Sequence, residues 1–204
     1  MANYKDIKYN FSASDNASGI GGAWILIKTQ TVSSSVAAVD FIHGTSDVVL
    51  DNTYESYLIK WCNVHPANQK PEFLFHPGDG DFTDTKLSVQ WITRMTYGNG
   101  NVTVGVDDTN DLAQATGGQP VCVNVGNGNA TDSCSGSIYM HGCGETDQWK
   151  TYIYDTITVT PDEMEGTHGG GNIQQTGAID RFRMDFSAGN IDAGSFSLYG
   201  LSDA

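Results

Sequence analysis

The stretch HPGDGDFTD, residues 76–84, has the residue types that most resemble a binding site. Asp79, Asp81 and Asp84 offer carboxylate oxygens at loop spacing, and the intervening glycines would let the backbone approach a Ca²⁺ ion. The spacing departs from an EF-hand loop, because the twelfth position counted from Asp79 is Gln90 instead of a glutamate. We interpret the stretch as a polar loop between strands and keep a metal site on the three carboxylates as the alternative. No cofactor is predicted.

Sulfur and imidazole ligands form a second candidate cluster. Cys134, His141 and Cys143 follow a C-x6-H-x-C spacing that could supply three zinc ligands. Structural zinc sites generally use closer cysteine pairs and a fourth ligand, so we predict no zinc site. Together with Cys62 and Cys122, these cysteines are expected to be free thiols packed as small hydrophobic groups. A disulfide between Cys134 and Cys143 stays open, since spacing alone does not establish disulfide geometry.

Catalytic motifs are missing from the sequence. Five histidines are present, but no G-x-S-x-G elbow accompanies them, and the glycine-rich GIGG and GGGN stretches lack a phosphate-binding lysine or a following helix. A carboxylate pair for glycoside hydrolysis depends on a distance that a sequence does not give, so a polysaccharide hydrolase remains the third hypothesis. We predict that the protein is not an enzyme and assign no catalytic residue.

The four tryptophans divide into core and surface candidates. Trp61 and Trp91 lie within alternating apolar runs and are predicted to pack in the core. Trp149 lies in the polar turn ETDQWK and is predicted to be exposed. An exposed tryptophan is typical of a contact surface, so Trp149 joins the contact-surface candidates Tyr4, Tyr9 and Phe11.

The balance of acidic and basic residues excludes some classes of binding partner. Ten Lys and Arg residues stand against 24 Asp and Glu residues, a formal net charge of −14, and no basic stripe interrupts them. A direct role in binding nucleic acid is therefore not expected. No apolar run of 18 residues and no hydrophobic leader occur, so neither a membrane span nor a secretory signal is predicted, and we expect the chain to begin in a cytoplasm.

Residues 1–20 differ in composition from the rest of the chain. They are rich in Ser, Asn and Asp, with Tyr4, Tyr9 and Phe11 as their aromatic groups. Such a segment alone is expected to be disordered, and to become ordered by lying on its own domain or on a neighbouring subunit. We therefore predict an N-terminal arm, residues 1–20, followed by one domain, residues 21–204.

Strand-like alternation runs through that domain. In KLSVQWITRMTY (86–97) the predicted inward residues are Leu87, Val89, Trp91, Thr93, Met95 and Tyr97. AWILIKTQT (23–31) is predicted to be buried on both faces or shared between the sheets, and DDTNDLAQA (107–115) is the best candidate for a helical turn. About ten short strands separated by Gly, Asn and Asp turns predict an all-β fold, an antiparallel β-sandwich of jelly-roll type.

The closing segment SAGNIDAGSFSLYGL is sharply patterned. Ser187–Asn190 reads as a turn that joins strand 178–186 to a final strand with Phe196 and Leu198 facing inward. Within that strand, the glycines are expected to mark a bulge and a strand end, at Gly194 and Gly200 respectively.

Four segments together resemble a family of virion proteins of marine tailed bacteriophages. The shared features are a G-x-W-x-L-I-x-T-Q-T opening, a strand ending in N-x-H-P-A, a polar G-N-G-N turn, and a terminal S-x-G-N-I-x-x-G-x-x-x-L-Y-G motif. In this chain they occur in GAWILIKTQTVSSSVAAVDFIHG, YLIKWCNVHPANQKPEFLF, DLAQATGGQPVCVNVGNGN and SAGNIDAGSFSLYGL. The resemblance covers residues 19–201. Residues 1–20 and 131–150 depart from the pattern, and we expect any docking role specific to this chain to lie there.

The resemblance implies a structural protein of the phage particle, located in the virion after assembly in the bacterial cytoplasm. Our first hypothesis is a capsid decoration or cement subunit. It is expected to form a homo-oligomer, specifically a trimer, and to bind the major capsid protein or other virion proteins. The alternative is a tail-fibre or appendage-tip module that recognises host surface glycans, bound to tail or appendage proteins.

Overall fold

Thirteen strands form the regular structure of the described residues, which in this computed structural model are 24–68, 70–98 and 100–201. The predicted arm, with Tyr4, Tyr9 and Phe11, lies outside them. No helix in the described ranges is long and apolar enough to cross a membrane. The strands are β1 (Trp24–Val32), β2 (Ala38–Ile42), β3 (Ser56–Pro66), β4 (Phe73–Gly78), β5 (Lys86–Thr96), β6 (Val102–Val106), β7 (Ala113–Ala115), β8 (Gln119–Cys122), β9 (Ser133–His141), β10 (Lys150–Val159), β11 (Glu163–Ile173), β12 (Arg181–Phe186) and β13 (Ile191–Leu201).

Two antiparallel sheets of unequal size contain these strands. The large sheet has nine strands, in the order β1-β13-β3-β9-β10-β11-β5-β6, with β7 paired to β5. The small sheet has four, in the order β2-β12-β4-β8. The predicted all-β antiparallel sandwich is confirmed, with thirteen strands instead of about ten. Sheets of nine and four do not confirm the eight-stranded jelly-roll arrangement.

The main core lies between the small sheet and one half of the large sheet, formed by strands β1, β13, β3, β9 and β10. Phe182, Met184 and Phe186 of β12 point into it, as their alternation predicts. Phe73 of β4 is in ring contact with Trp61 and Phe186, with centroids 5.6 and 5.0 Å apart. Trp61 is 2% exposed, which confirms its predicted place in the core.

The closing segment crosses from one sheet to the other. Residues 187–190 carry the chain from β12 in the small sheet to β13 in the large one, where Phe196 and Leu198 are fully buried as predicted. Gly194 lies at a register shift with φ of 143°, and a Cβ there would approach the Val64 Cα to 3.0 Å, so the predicted bulge is confirmed. Gly200, by contrast, lies within β13, where the ring of Tyr54 occupies the space of a side chain.

Two local predictions were wrong. Residues 107–115 form no helix: they form a loop and β7, because Asp107 and Asp111 accept hydrogen bonds from the side chain and the backbone N–H of Gln90, at 3.0 and 2.7 Å. The start of β1 is not buried on both faces. Among the described strands it lies at the edge of the large sheet, and its first three side chains are exposed: Trp24, Ile25 and Leu26.

Candidate functional site

Strand β5 faces the opposite way from the prediction. Gln90, predicted to lie on the outward side, is fully buried, and Lys86 on the same side is fully buried as well. Trp91 is 48% exposed, so its predicted core position was wrong. Four other residues predicted to point inward are exposed as well: Leu87, Val89, Met95 and Tyr97. Alternation shows that a strand has two unlike faces, but it does not show which of them meets the core.

A buried polar network holds β5 in this orientation. The Tyr154 hydroxyl donates to Gln90 Oε1 at 2.5 Å, and Gln119 Nε2 donates to the Tyr154 hydroxyl at 3.2 Å. The Tyr152 hydroxyl donates to Gln119 Oε1 at 3.0 Å. Burial raises the pKa of both tyrosines, so they stay protonated donors. The network gives the inner side of β5 polar partners, and its apolar side chains therefore face outward.

Neighbouring strands extend the exposed apolar surface. Trp91 of β5 lies opposite His168 of β11 and Val106 of β6, and opposite residues in an antiparallel pair share one face of the sheet. We name the outward side of β5, β6, β10 and β11 the apolar face. Its large exposed side chains range from 38% to 70% exposed: Leu87, Val89, Trp91, Met95, Val102, Val104, Val106, Ile153, Ile157 and Met164.

Glycines of β11 leave low positions in this apolar face. Gly166 and Gly170 face outward between β10 and β5, in register with Ile157 and Ile153. A Cβ on Gly170 would come within 3.2 Å of the Ile153 side chain. Gly166 and Gly170 are therefore two low positions on β11, and His168 stands between them on the same face.

One polar row crosses the apolar face. His168 Nδ1 lies 2.6 Å from Asp155 Oδ1, and the His168 ring stacks on Trp91 with centroids 5.7 Å apart and planes at 24°. The row Asp155–His168–Trp91 follows the register across β10, β11 and β5. The imidazole binds one carboxylate oxygen while the Asp155 side chain stays 72% exposed, so this carboxylate is the polar group that a partner on the face would meet.

A shallow depression of about 440 Å³ opens beside this row. Lys60, Ser137, Asp155 and His168 contribute polar groups to its lining. A Cβ on Gly136 would lie 2.8 Å from Trp61 Cζ2, so the edge of the indole ring reaches the floor at Gly136. The sequence does not reveal this depression, because register across four strands brings its residues together.

The carboxylates of Asp81 and Asp84 accept hydrogen bonds from nearby backbone and side-chain groups. Asp84 Oδ2 accepts hydrogen bonds from the Asp79 N–H at 2.9 Å and from Gln175 Nε2 at 3.2 Å. Asp81 Oδ1 accepts from the Thr83 N–H and hydroxyl, both at 2.8 Å, and these bonds lower the pKa of Asp81. In the part of the chain that the structure describes, no three His, Cys, Asp or Glu side chains group as metal ligands. Residues 79–85 connect β4 to β5, which is the position that the interpretation of a polar loop predicts.

The four cysteines form no disulfide, and they differ in their exposure to solvent. All four are free, and Cys62 is exposed while Cys122, Cys134 and Cys143 are fully buried. Cys134 lies against Cys122, and no disulfide joins it to Cys143. His141, exposed at the end of β9, bonds to the Ser56 hydroxyl at 3.0 Å, so the C-x6-H-x-C spacing does not converge.

The tryptophan of the ETDQWK turn is on the surface. Trp149 is 56% exposed, as predicted, and lies in the turn before β10, outside the strands that define the apolar face. Of the predicted contact residues, it is the one that the structure describes. Whether Trp149 contacts a partner stays a prediction.

Fold and surface together define a class of protein. The chain is an antiparallel β-sandwich whose large sheet leaves an apolar face uncovered. Neither a protein-family model, nor a curated protein, nor a solved structure matches it.

Proposed function

We propose that this protein is a non-enzymatic structural subunit of a tailed-phage virion, specifically a capsid decoration or cement protein. Two observations support the proposal. The motifs of residues 19–201 resemble those of phage virion proteins. The large sheet carries an apolar face that is fit to be covered by protein.

The apolar face is the observation that carries the proposal. At 38% to 70% exposure, its ten large apolar side chains leave roughly 1,000 Å² in contact with water. The largest apolar patch on a typical soluble monomer covers about 300–600 Å², and larger patches mark interaction surfaces. A protein that works by burying surface between neighbours needs such a face.

A cement protein needs no reaction centre. It adds contact area between subunits of the capsid, and many modest contacts over repeated copies sum to a large resistance against rupture. Its partners are the major capsid protein and other virion proteins. We propose Trp149, which is exposed in the turn before β10, and residues 1–20, whose sequence departs from the family pattern, as the contacts with them.

Quantitative mass spectrometry of purified virions tests the proposal. We expect on the order of hundreds of copies per particle, in keeping with the symmetry of a capsid lattice. About six to eighteen copies would contradict a decoration protein and support the tail-fibre or appendage alternative. Absence from the particle would contradict both.

One observation favours the alternative of a glycan-binding fibre tip. The depression over Gly136 combines a lysine, a carboxylate, an imidazole and hydroxyl groups, which can form hydrogen bonds with sugar hydroxyls. Binding of host surface polysaccharide by the purified protein, lost in Lys60→Ala and retained in Trp149→Ala, would support this alternative. Equal binding by both variants, or none by the wild type, would contradict a glycan site in the depression.

A further inference from the structure

We propose that the apolar face is covered by the same face of a second copy of this chain, packed about a two-fold axis. The inference names a partner for the face on which the proposed function rests. Charge, area and shape of the face argue for this occupant.

Charge is depleted on the apolar face. Of the 24 Asp and Glu residues in the chain, Asp155 is the one that faces outward from β5, β6, β10 and β11, and His168 binds it. Two copies that each carry a net charge of −14 repel one another, and this face is where they can meet with the least repulsion. A basic partner would instead be expected to select exposed carboxylates at its contact surface. The composition therefore favours a copy of the same chain.

The area of the apolar face fits a stable pair. Roughly 1,000 Å² of apolar surface per copy compares with about 800 Å² per partner in a standard protein interface. The side chains are also those enriched at the centres of such interfaces, with a tryptophan, Trp91, and two methionines, Met95 and Met164.

The shape of the face suits a two-fold contact. The low positions at Gly166 and Gly170 lie between apolar side chains that include Ile153 on β10 and Val89 on β5. Under two-fold symmetry, apolar side chains of each copy can pack over the low positions of the other, and the same contact is made twice. Two outer sheet faces stacked at about 10 Å would bury the apolar face completely. A contact of this kind closes after two copies, so we infer a pair instead of the trimer expected from the sequence.

Sedimentation velocity of the purified full-length chain tests this inference. At micromolar concentration we expect a mass twice that of the 21.9 kDa chain. Trp91→Asp and Val104→Asp place a carboxylate on the face at solvent-exposed positions, and each should shift the protein to the monomer mass. Trp149→Asp is the matched control, since Trp149 is similarly exposed but lies off the face, and it should leave the mass unchanged. Circular dichroism confirms that each variant is folded.

The outcomes separate this inference from the proposed function. A wild-type monomer, a trimer, or a pair that survives both substitutions on the face would overturn the two-fold packing. A monomer that is nevertheless abundant in virions would overturn the inference and leave the proposed function standing. A pair in solution that is absent from virions would overturn the proposed function and leave the two-fold packing standing.

Discussion

The buried ammonium of Lys86 should make the protein more stable as the pH rises from about 8 to 10.5. Its Nζ donates to the backbone carbonyl of Asp84 at 2.6 Å, on the inner side of β5. Burial lowers the pKa of Lys86 from 10.5 to about 8, against a smaller opposite effect of the Asp84 carboxylate. Between these pH values the unfolded chain binds a proton that the folded chain has released. The free energy of unfolding therefore increases with pH in this window.

The two pKa values of Lys86 set the magnitude. At about 1.4 kcal/mol per pKa unit, their difference corresponds to about 3 kcal/mol of stability gained across the window. Other buried groups act in the opposite direction at high pH, because burial raises the pKa of Cys143 to about 12 and also raises that of Tyr154. The quantity to compare is therefore the difference in unfolding free energy between the wild type and Lys86→Met, in which those effects cancel.

Urea unfolding followed by tryptophan fluorescence from pH 7 to 11 measures this difference. We expect it to change by about 3 kcal/mol in favour of the wild type as the pH rises. Lys60→Met is the matched control, because Lys60 is exposed on β3, and its difference from the wild type should stay flat. Parallel curves for the wild type and Lys86→Met would refute the reasoning.

Three further predictions concern the fold. Gly194→Ala should lower the unfolding free energy by about 1–3 kcal/mol, because φ is 143° and Val64 leaves no room for a methyl group, whereas Gly105→Ala has open space and should change it far less; equal effects in urea unfolding would contradict this. Tyr154→Phe should cost about 1–3 kcal/mol, since it removes the donor to the buried amide of Gln90, and an unchanged urea midpoint would argue against the network. Ellman's reagent should titrate one thiol, Cys62, in the native protein and four after denaturation; rapid reaction of more than one native thiol would contradict the burial of the others.

The β-sandwich could be predicted where apolar and charged residues alternate. In β12, Phe182 and Met184 alternate with arginines, and Arg183 forms a two-point contact with Asp40 at 2.8 and 2.7 Å on the outer side. In such a strand the apolar face packs on the core and the charged face is exposed to solvent, so the pattern determines the orientation of the strand. The closing strand β13 was predictable for a similar reason, because its apolar residues alternate with serines.

The apolar face could not be predicted, because β5 has apolar residues on one side and partly polar ones on the other, and hydrophobicity alone assigns the apolar side to the core. The structure shows the reverse, since Gln90 on the inner side finds buried tyrosine and glutamine partners on other strands. One signal was available. The run GTHGGG in β11 has no large apolar side chain on either face, which indicates that the sheet beside it is not packed on an ordinary apolar core. The orientation of β5 and the extent of the apolar face are determined by pairing between strands that are distant in sequence.

The central claim is that protein covers the apolar face in the assembled particle. Hydroxyl-radical footprinting of purified virions tests it most directly, because Trp91, Met95 and Met164 on the face and Trp149 off the face are all oxidisable and exposed in the isolated chain. Wild-type virions should show strong protection of the three residues on the face, relative to the monomeric Val104→Asp chain in solution. Oxidation of these three residues to the same extent in virions as in the isolated monomer would contradict the account.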